Sequence, residues 1–448
     1  MCSSDLVTVN GAKAGTAAGP SATPADRSTG TGSSFSGESV FSVTLTVSAV
    51  GATIDGVVVN PTTATNSVTV SVSGATIRNS ILVGRSNAIA TSGTNSPIAV
   101  TVAAGANAYT LTGNRLIGGR YGVYLQNAST AASTITDNYV SAVQYGVSTS
   151  ASDTGAHLIS GNLIEAVTQG LNLSRAGTPG ATVSRNTIRS LTGSGVTQAA
   201  VNVQTGAGTF TVTGNLFGRA TYGVYLVTPT ASKTYDITAN SFPGITDNSG
   251  GSVFLNAGAA ATVNLKGNWW GQGSGPAAGQ IAPSVALIDR SDWIADYSSN
   301  SPPTAGAPGF WPTGITSASG CTTSCYLDGS TGSDANPGTQ ASPFRTFAQA
   351  LYSVSAGGTI TAAAGTYAES PTVSKSVTIN GAKAGTAAGP SVTPADRSTG
   401  TPFIGESVIS GTLTVAAADV TIDGFVINSG ATANSITATA AAADNLTV

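Results

Sequence analysis

From Thr110 to Arg189 the apolar positions come in short alternating bursts that return every 24 residues. Leu111, Ile135, Ile159 and Val183 each stand three residues before an asparagine, and Leu116, Val140, Ile164 and Ile188 stand two residues after it. The asparagines are Asn114, Asn138, Asn162 and Asn186. Farther along come Tyr-Gly122-Val-Tyr-Leu, Tyr-Gly146-Val-Ser-Thr and Gln-Gly170-Leu-Asn-Leu. Alternation over β-branched residues, punctuated by Gly and Asn, predicts short strands separated by turns. A fixed period of this size marks a repeat architecture. The unit is too long for a six- or nine-residue β-roll and lacks the helical pattern of leucine-rich or ankyrin repeats. It suits a coil of three short strands and three turns, and parallel pairing of successive coils requires a right-handed progression.

The pattern extends both ways. Earlier rungs are predicted at Leu45-Thr-Val, Thr53-Ile-Asp-Gly-Val-Val-Val and Thr76-Ile-Arg-Asn79-Ser-Ile, and later ones around Asn215, Asn240 and Asn268. The longer gaps before Asn114 and Asn215 are expected to be loops inserted at turns. Val7-Thr-Val-Asn-Gly-Ala-Lys13 returns as Val377-Thr-Ile-Asn-Gly-Ala-Lys383, and Thr53-Ile-Asp-Gly56 returns as Thr421-Ile-Asp-Gly424. The expected organisation is a window cut from a tandem array. Residues 1–6 fit nothing downstream and are expected to be a sequencing or cloning scar. Residues 7–297 form a first solenoid module without its header, and 298–322, rich in Pro, Gly, Ser and Thr, read as a linker. Residues 323–448 begin a second module, in which Phe344, Phe347, Ala348 and Leu351 at helical spacing predict a short helix capping the open end.

These features resemble the right-handed parallel β-helix of the pectate-lyase-like group. Asn268-Trp-Trp-Gly followed by Ser-Gly-Pro276 resembles the closing signature of β-helix modules in large bacterial and archaeal surface proteins. The expected fold is therefore all-β, a right-handed parallel β-helix with rungs of about 24 residues. In that group asparagines in the tight turn stack into an internal amide ladder. Asn114, Asn138, Asn162, Asn186, Asn215, Asn240 and Asn268 are expected to do so here, since Asn tolerates the left-handed turn and its amide can bond both up and down the stack.

Composition narrows the function. Charged residues make up 8% of the chain and the net charge is -3. Lys and Arg do not cluster, so no basic surface for nucleic acid is expected, and no apolar run reaches the ~18 to 20 residues of a membrane span. Tyr121 and Tyr145 share a column one rung apart, and Trp269 falls in the outward column of Arg115 and Tyr139. These three are the candidates for stacking on a glycan, with plain ring stacking as the alternative for the tyrosines. Trp270 falls in an apolar column and is expected in the core. Glu165 and Arg189 should meet as an ion pair on neighbouring rungs. Lyases and hydrolases of this fold use clustered carboxylates with Arg or Lys, and no rung set brings such a cluster together. The single histidine, His157, is expected on the surface or in a turn. The copper-associated β-helix relatives need soft or imidazole ligands that are missing here. Cys321 and Cys325 are too few for a structural zinc site and are expected to form a small disulfide loop, which fits an oxidising exterior. Calcium at Asp328 and Asp334 is the alternative to simple turn chemistry, without the EF-hand spacing to support it. No metal or cofactor is assigned.

The expected role is structural or adhesive, an extracellular or cell-surface rod that meets neighbouring modules of its own chain and a surface glycan. A polysaccharide lyase or glycoside hydrolase is the rival reading.

Overall fold

The computed structural model describes residues 7–19, 35, 37–62, 66–84, 98–103, 106, 108–125, 132–150, 155–173, 180–189, 198–204, 210–218, 220–227, 234–242, 251–255, 262–273, 275–276, 280–282, 287–289, 292–302, 307–334, 336–386, 403–430, 434–439 and 444–448. Residues 1–6 and parts of the inserted loops lie outside them. Two compact units emerge: Met1–Gly273 with Gly279–Ala286 and Asp296–Thr316, and Ser274–Ala278 with Leu287–Ala295 and Ser317–Val448.

The first unit is a parallel β-helix. One sheet stacks Thr8–Asn10, Thr53–Asp55, Thr76–Arg78, Thr110–Thr112, Thr134–Thr136, Leu158–Ser160, Thr182–Ser184, Phe210–Thr213, Thr234–Thr238 and Thr262–Asn264, every pair parallel. The alternation predicted from sequence puts Ile54, Ile77, Leu111, Ile135, Ile159, Val183, Val212 and Ile237 inside, each at 4% exposure or less. The next two strands of each rung join a second sheet. In the middle rungs they run together as Tyr139–Thr149 and Leu163–Leu173, with register irregularities around Val143 where the chain turns the corner. Trp270 is buried, as its column predicts, and stacks on Phe242 at 5.1 Å.

Between the first two strands of a rung, one residue adopts a left-handed conformation: Asn79, Gly113, Asp137, Gly161, Arg185, Gly214, Ala239 and Gly267, with φ from 51° to 67°. At Gly161 a Cβ would meet Oδ1 of the Asp137 carboxylate of the preceding rung, which would have to move aside, so glycine suits the space there. Asn79 proves to be one of these turn residues. The position in register with Asn114 is Ser80, whose N–H donates to Asn114 Oδ1 at 3.0 Å.

Two segments cross this row of turns. Near the start of the chain, Lys13 N–H donates to Gly56 O (3.3 Å), and Ala18 and Gly19 N–H donate to Gly113 O (2.8 and 3.1 Å). Ala18 and Phe35 pack on the outward-facing Val58, Ile81, Val83 and Ile117. Farther on, Gly309 N–H donates to Thr187 Oγ1 (2.9 Å) and Phe310 N–H to Gly214 O (2.7 Å), while the Arg185 guanidinium lies 3.4 Å from the centre of a Trp311 ring. Part of the stretch expected as a linker is thus a strap on the first unit, closed by the short antiparallel pair Ser299–Asn300 and Pro312–Thr313. Its Gly and Pro content suits a backbone that must approach the turns closely.

The second unit stacks three small parallel sheets: Ser324–Leu327, Thr359–Ala362, Thr378–Asn380 and Thr421–Asp423; Gly365–Tyr367, Ser407–Ile409 and Phe425–Ile427; and Thr372–Val373, Leu413–Val415 and Ile436–Ala438. The repeated sequences make the repeated bonds. Ala12 N–H donates to Ser39 Oγ at 2.9 Å, and Ala382 N–H to Ser407 Oγ at 2.8 Å. Gly15 N–H donates to the Asp55 carboxylate at 3.0 Å, and Gly385 N–H to that of Asp423 at 2.8 Å. The predicted helix runs from Phe347 to Ser353, with Thr346 as its N-cap. It starts later than the spacing of Phe344 implied: Phe344 pairs with Leu327 in extended chain, and Ala350, not Ala348, joins Phe347 and Leu351 in the core.

Candidate functional site

The seven asparagines form the ladder. Each Oδ1 from Asn138 to Asn268 accepts both the backbone N–H and the Nδ2 of the asparagine one rung before, at 2.8 to 3.2 Å. Each Nδ2 also reaches a backbone carbonyl of the rung before, as Asn162 does to Ile135 O at 2.9 Å. All seven are 1% exposed or less. With donors and acceptors spent on one another, the ladder holds the turns and offers nothing to a ligand.

Tyr121 and Tyr145 do come together, their ring centroids 5.2 Å apart and nearly parallel. Tyr121 also stacks on Tyr124 of its own strand at 4.6 Å. The Arg120 guanidinium lies 5.2 Å from the Tyr121 ring and 5.9 Å from that of Tyr145. Burial pushes the Tyr121 hydroxyl above the ordinary tyrosine pKa, against the pull of Arg120. Trp269 stands elsewhere, half-buried, with Tyr297 edge-on at 5.3 Å. Its column is more covered than expected: Arg115 and Tyr139 are only 9% and 8% exposed, because Gly19 of the first strap passes over the Asn138–Tyr139 turn.

That column begins a polar chain. The Arg115 guanidinium sits 5.2 Å from the Tyr139 ring, Tyr139 Oη donates to Glu165 Oε2 at 2.7 Å, and Arg189 Nε donates to Glu165 Oε1 at 2.8 Å. The expected Glu165–Arg189 pair is therefore present, and Tyr139 is the member the sequence did not single out. Burial lowers the Arg115 pKa, which Tyr139 and Glu165 oppose, and burial followed by the Glu165 carboxylate raises that of Tyr139. Glu165 is the one carboxylate among these four side chains, and both its oxygens are engaged. Asp137, on the turn row, has its pKa raised by burial and does not join it.

His157 is not on the surface: it is 1% exposed, and its Nδ1 accepts the Ser133 N–H at 3.3 Å. Cys321 and Cys325 are bonded to each other, inside the core of the second unit. Asp328 turns back on Ser330 and Thr331, and the Thr331 hydroxyl leads in holding its carboxyl below the usual range. Asp334 accepts the N–H groups of Arg345 and Thr346 at the start of the helix. Both aspartates thus do turn chemistry. Glu369 accepts the Phe347 and Ala348 N–H groups, and Lys375 Nζ donates to Tyr352 O and Val354 O. The helix is clamped at both ends by charges of the sign its dipole favours.

Residues 49–275 match the family model described as periplasmic copper-binding protein (NosD), and residues 330–445 match that described as protein of unknown function (DUF1565). No curated protein and no solved structure matches the chain. Copper prefers thiolate, thioether and imidazole donors. The chain has one His, three Cys and one Met. His157 is enclosed with its Nδ1 occupied, and two of the cysteines are spent in the disulfide. Met1 and Cys2 lie outside the described residues. Among the described residues no three His, Cys, Asp or Glu side chains gather as a metal site. The donor set does not fit a protein-held copper ion. The resemblance to the family lies in the coil itself, in its stacked parallel strands and asparagine turns, and the match spans just over half of the chain: the protein belongs to the NosD family of right-handed parallel β-helices.

Proposed function

We propose that this chain is a rigid spacer and adhesive module of an extracellular or cell-surface protein, holding neighbouring modules apart and touching surface glycans weakly and many times over. The observation that supports the reading is the unbroken ladder from Asn114 to Asn268, whose buried amides are spent on one another from rung to rung. The family's periplasmic description and the Cys321–Cys325 disulfide agree with a location outside the cytoplasm. The outer face is rich in Thr, Ser, Asn and Tyr, and the Glu165 carboxylate is tied between Tyr139 and Arg189.

The test is a polysaccharide panel scored both for binding and for release of unsaturated or reducing ends, with and without calcium. Binding without product is the expected result. Product release would overturn the reading in favour of a lyase or hydrolase, and silence in both assays would strike out adhesion and leave the spacer.

A further inference from the structure

The pentapeptide Tyr-Gly-Val-Tyr-Leu stands twice in the first unit, at Tyr121–Leu125 and at Tyr222–Leu226, each time as a strand of the coil. The two copies differ in what surrounds their rings. Tyr121 lies against Tyr124 at 4.6 Å and against Tyr145, its register partner on the next rung, at 5.2 Å. Both neighbours are within 22° of parallel to it, and all three rings are half-exposed. The Arg120 guanidinium lies over the Tyr121 and Tyr145 rings alike. Tyr222 is 5% exposed, register sets it between Ala199 and Gly251, which carry no ring, and it meets Tyr225 tilted by 53°. Between the two copies the outward column of these strands runs Tyr124, Ser148, Asn172, Asn202 and Tyr225. The Asn172 amide bonds to both Ser148 and Asn202 there, so an outer row of polar side chains separates the two tyrosine groups.

A tyrosine that loses one electron to an oxidant, and its hydroxyl proton to water, becomes a phenoxyl radical. The unpaired spin is shared by the oxygen and the two ring carbons ortho to it. Two such radicals join carbon to carbon when their rings are held in contact. Parallel register keeps like side chains about 4.8 Å apart along the coil. Rings stacked as Tyr121 and Tyr145 are need only tilt to bring two ortho carbons together. Sulfur is the usual first target of oxidants. This chain has one Met and three Cys, and two of the cysteines already form a disulfide, so oxidation turns to aromatic rings. Trp270 and Trp293 are buried, whereas the three tyrosines are open to a diffusible oxidant. The disulfide also fits an oxidising exterior.

We propose that Tyr121 and Tyr145 are an oxidative cross-linking site, joined by hydrogen peroxide and a peroxidase-type one-electron oxidant into a dityrosine that staples two rungs. Each ring gives up one electron and one hydroxyl proton. The two radicals then form a single bond between ortho carbons. The protons on those carbons move to the oxygens through water, which restores both phenols. Two tyrosines and one peroxide thus give one dityrosine and two waters. The Arg120 guanidinium, over both rings, holds the pair in place. The site adds a covalent tie to a coil otherwise held by hydrogen bonds and packing, and it does not depend on glycan binding.

The experiment is oxidation of the whole chain, in dilute solution, with hydrogen peroxide and a haem peroxidase, followed by fluorescence and peptide mapping by mass spectrometry. Dityrosine emission should rise on chains that still run as monomers in a denaturing gel. The mapped product should join the segment holding Tyr121 to that holding Tyr145, lighter by two hydrogen atoms than the separate pair. Tyr145→Phe and Tyr121→Phe keep a ring in the stack but lack the hydroxyl, and each should lose this product, while Tyr225→Phe retains it. Unfolding in urea before oxidation should also remove it. A link between Tyr121 and Tyr124, or one between Tyr222 and Tyr225 in equal yield, would overturn the staple between rungs. Dityrosine found only between chains, or oxidised tryptophan in its place, would overturn it as well.

Discussion

The first unit contains two rows of asparagine amides, one inside the coil and one outside, and they differ in what they leave unfinished. In the inner row every Oδ1 from Asn138 to Asn268 accepts two N–H groups from the rung before it. In the outer row Asn202 Oδ1 accepts nothing. The same side chain is fully paired in one place and one partner short in the other. Complete pairing is what a structural element needs, because each unpaired buried group costs about 1 to 3 kcal/mol.

The inner row should therefore break hardest. Asn162→Ala removes the acceptor for Asn138 N–H and Nδ2 and the donor to Ile135 O, Ser160 O and Asn186 Oδ1. A loss of about 3 kcal/mol or more is expected in denaturant unfolding of the first unit. An unchanged transition would mean the ladder is ornament. The second unit shows no such ladder among its described residues, and its covalent tie is the Cys321–Cys325 disulfide. Replacing Cys321 and Cys325 together by Ala should cost about 2 kcal/mol, the loop-closure value for so short a loop. A reducing agent that leaves the wild-type melting temperature in place while the double variant drops would show that the disulfide is shielded, as the burial of Cys325 implies.

The inner row was legible in the sequence for the same reason that it is strong. Each Asn must meet the next, so loops can be inserted only where they do not disturb that meeting, and the 24-residue spacing survives from Asn114 to Asn186. The outer row was legible only at its start, where Tyr124, Ser148 and Asn172 keep the 24-residue spacing. Asn172 and Asn202 are 30 residues apart because an insertion falls between them, and the residue type changes from Tyr to Ser to Asn and back to Tyr. Ser80 shows the other limit: it stands in line with the ladder but is not an asparagine, so the residue beside it, Asn79, drew the eye. The straps escaped notice because Ala17–Gly19 and Pro308–Trp311 have the composition of a linker. What makes them straps is backbone N–H groups donating to Gly113 O and Gly214 O, and backbone groups leave no mark in a sequence. Tyr139 was missed because its partner, Glu165, is reached by the length of its side chain and not by its register neighbour.

A smaller effect separates the start of the rod from its middle. Asp55 has no ladder to lean on. Burial pushes its carboxyl up, but the Gly15 N–H, the Asn79 amide and Arg78 outweigh burial and hold it below the usual carboxylate range. A lowered folded pKa contributes stability that is present in full above the unfolded value, near ~3.9 for Asp, and is lost as pH falls through the folded one. Asp55→Asn should therefore flatten the acid side of the stability profile while changing little of its slope above pH ~6. A parallel profile for wild type and variant would place the acid sensitivity elsewhere.

The smallest change in stability is expected where the amide is least satisfied. Asn202→Ala gives up one hydrogen bond, from Nδ2 to Asn172 Oδ1, and Gln204 Nε2 still donates to that oxygen. It also removes the buried acceptor that has no partner. A typical hydrogen bond contributes about 1 kcal/mol net and an orphaned buried acceptor costs about as much or more, so the two nearly cancel and stability should move by less than about 0.5 kcal/mol. Chemical unfolding of Asn162→Ala and Asn202→Ala, run side by side, puts the comparison to its sharpest use. A large loss at both sites would mean that Asn202 is a second structural ladder whose partner has been overlooked. A large loss at Asn162 with almost none at Asn202 is what a fully paired inner row and an incompletely paired outer row require.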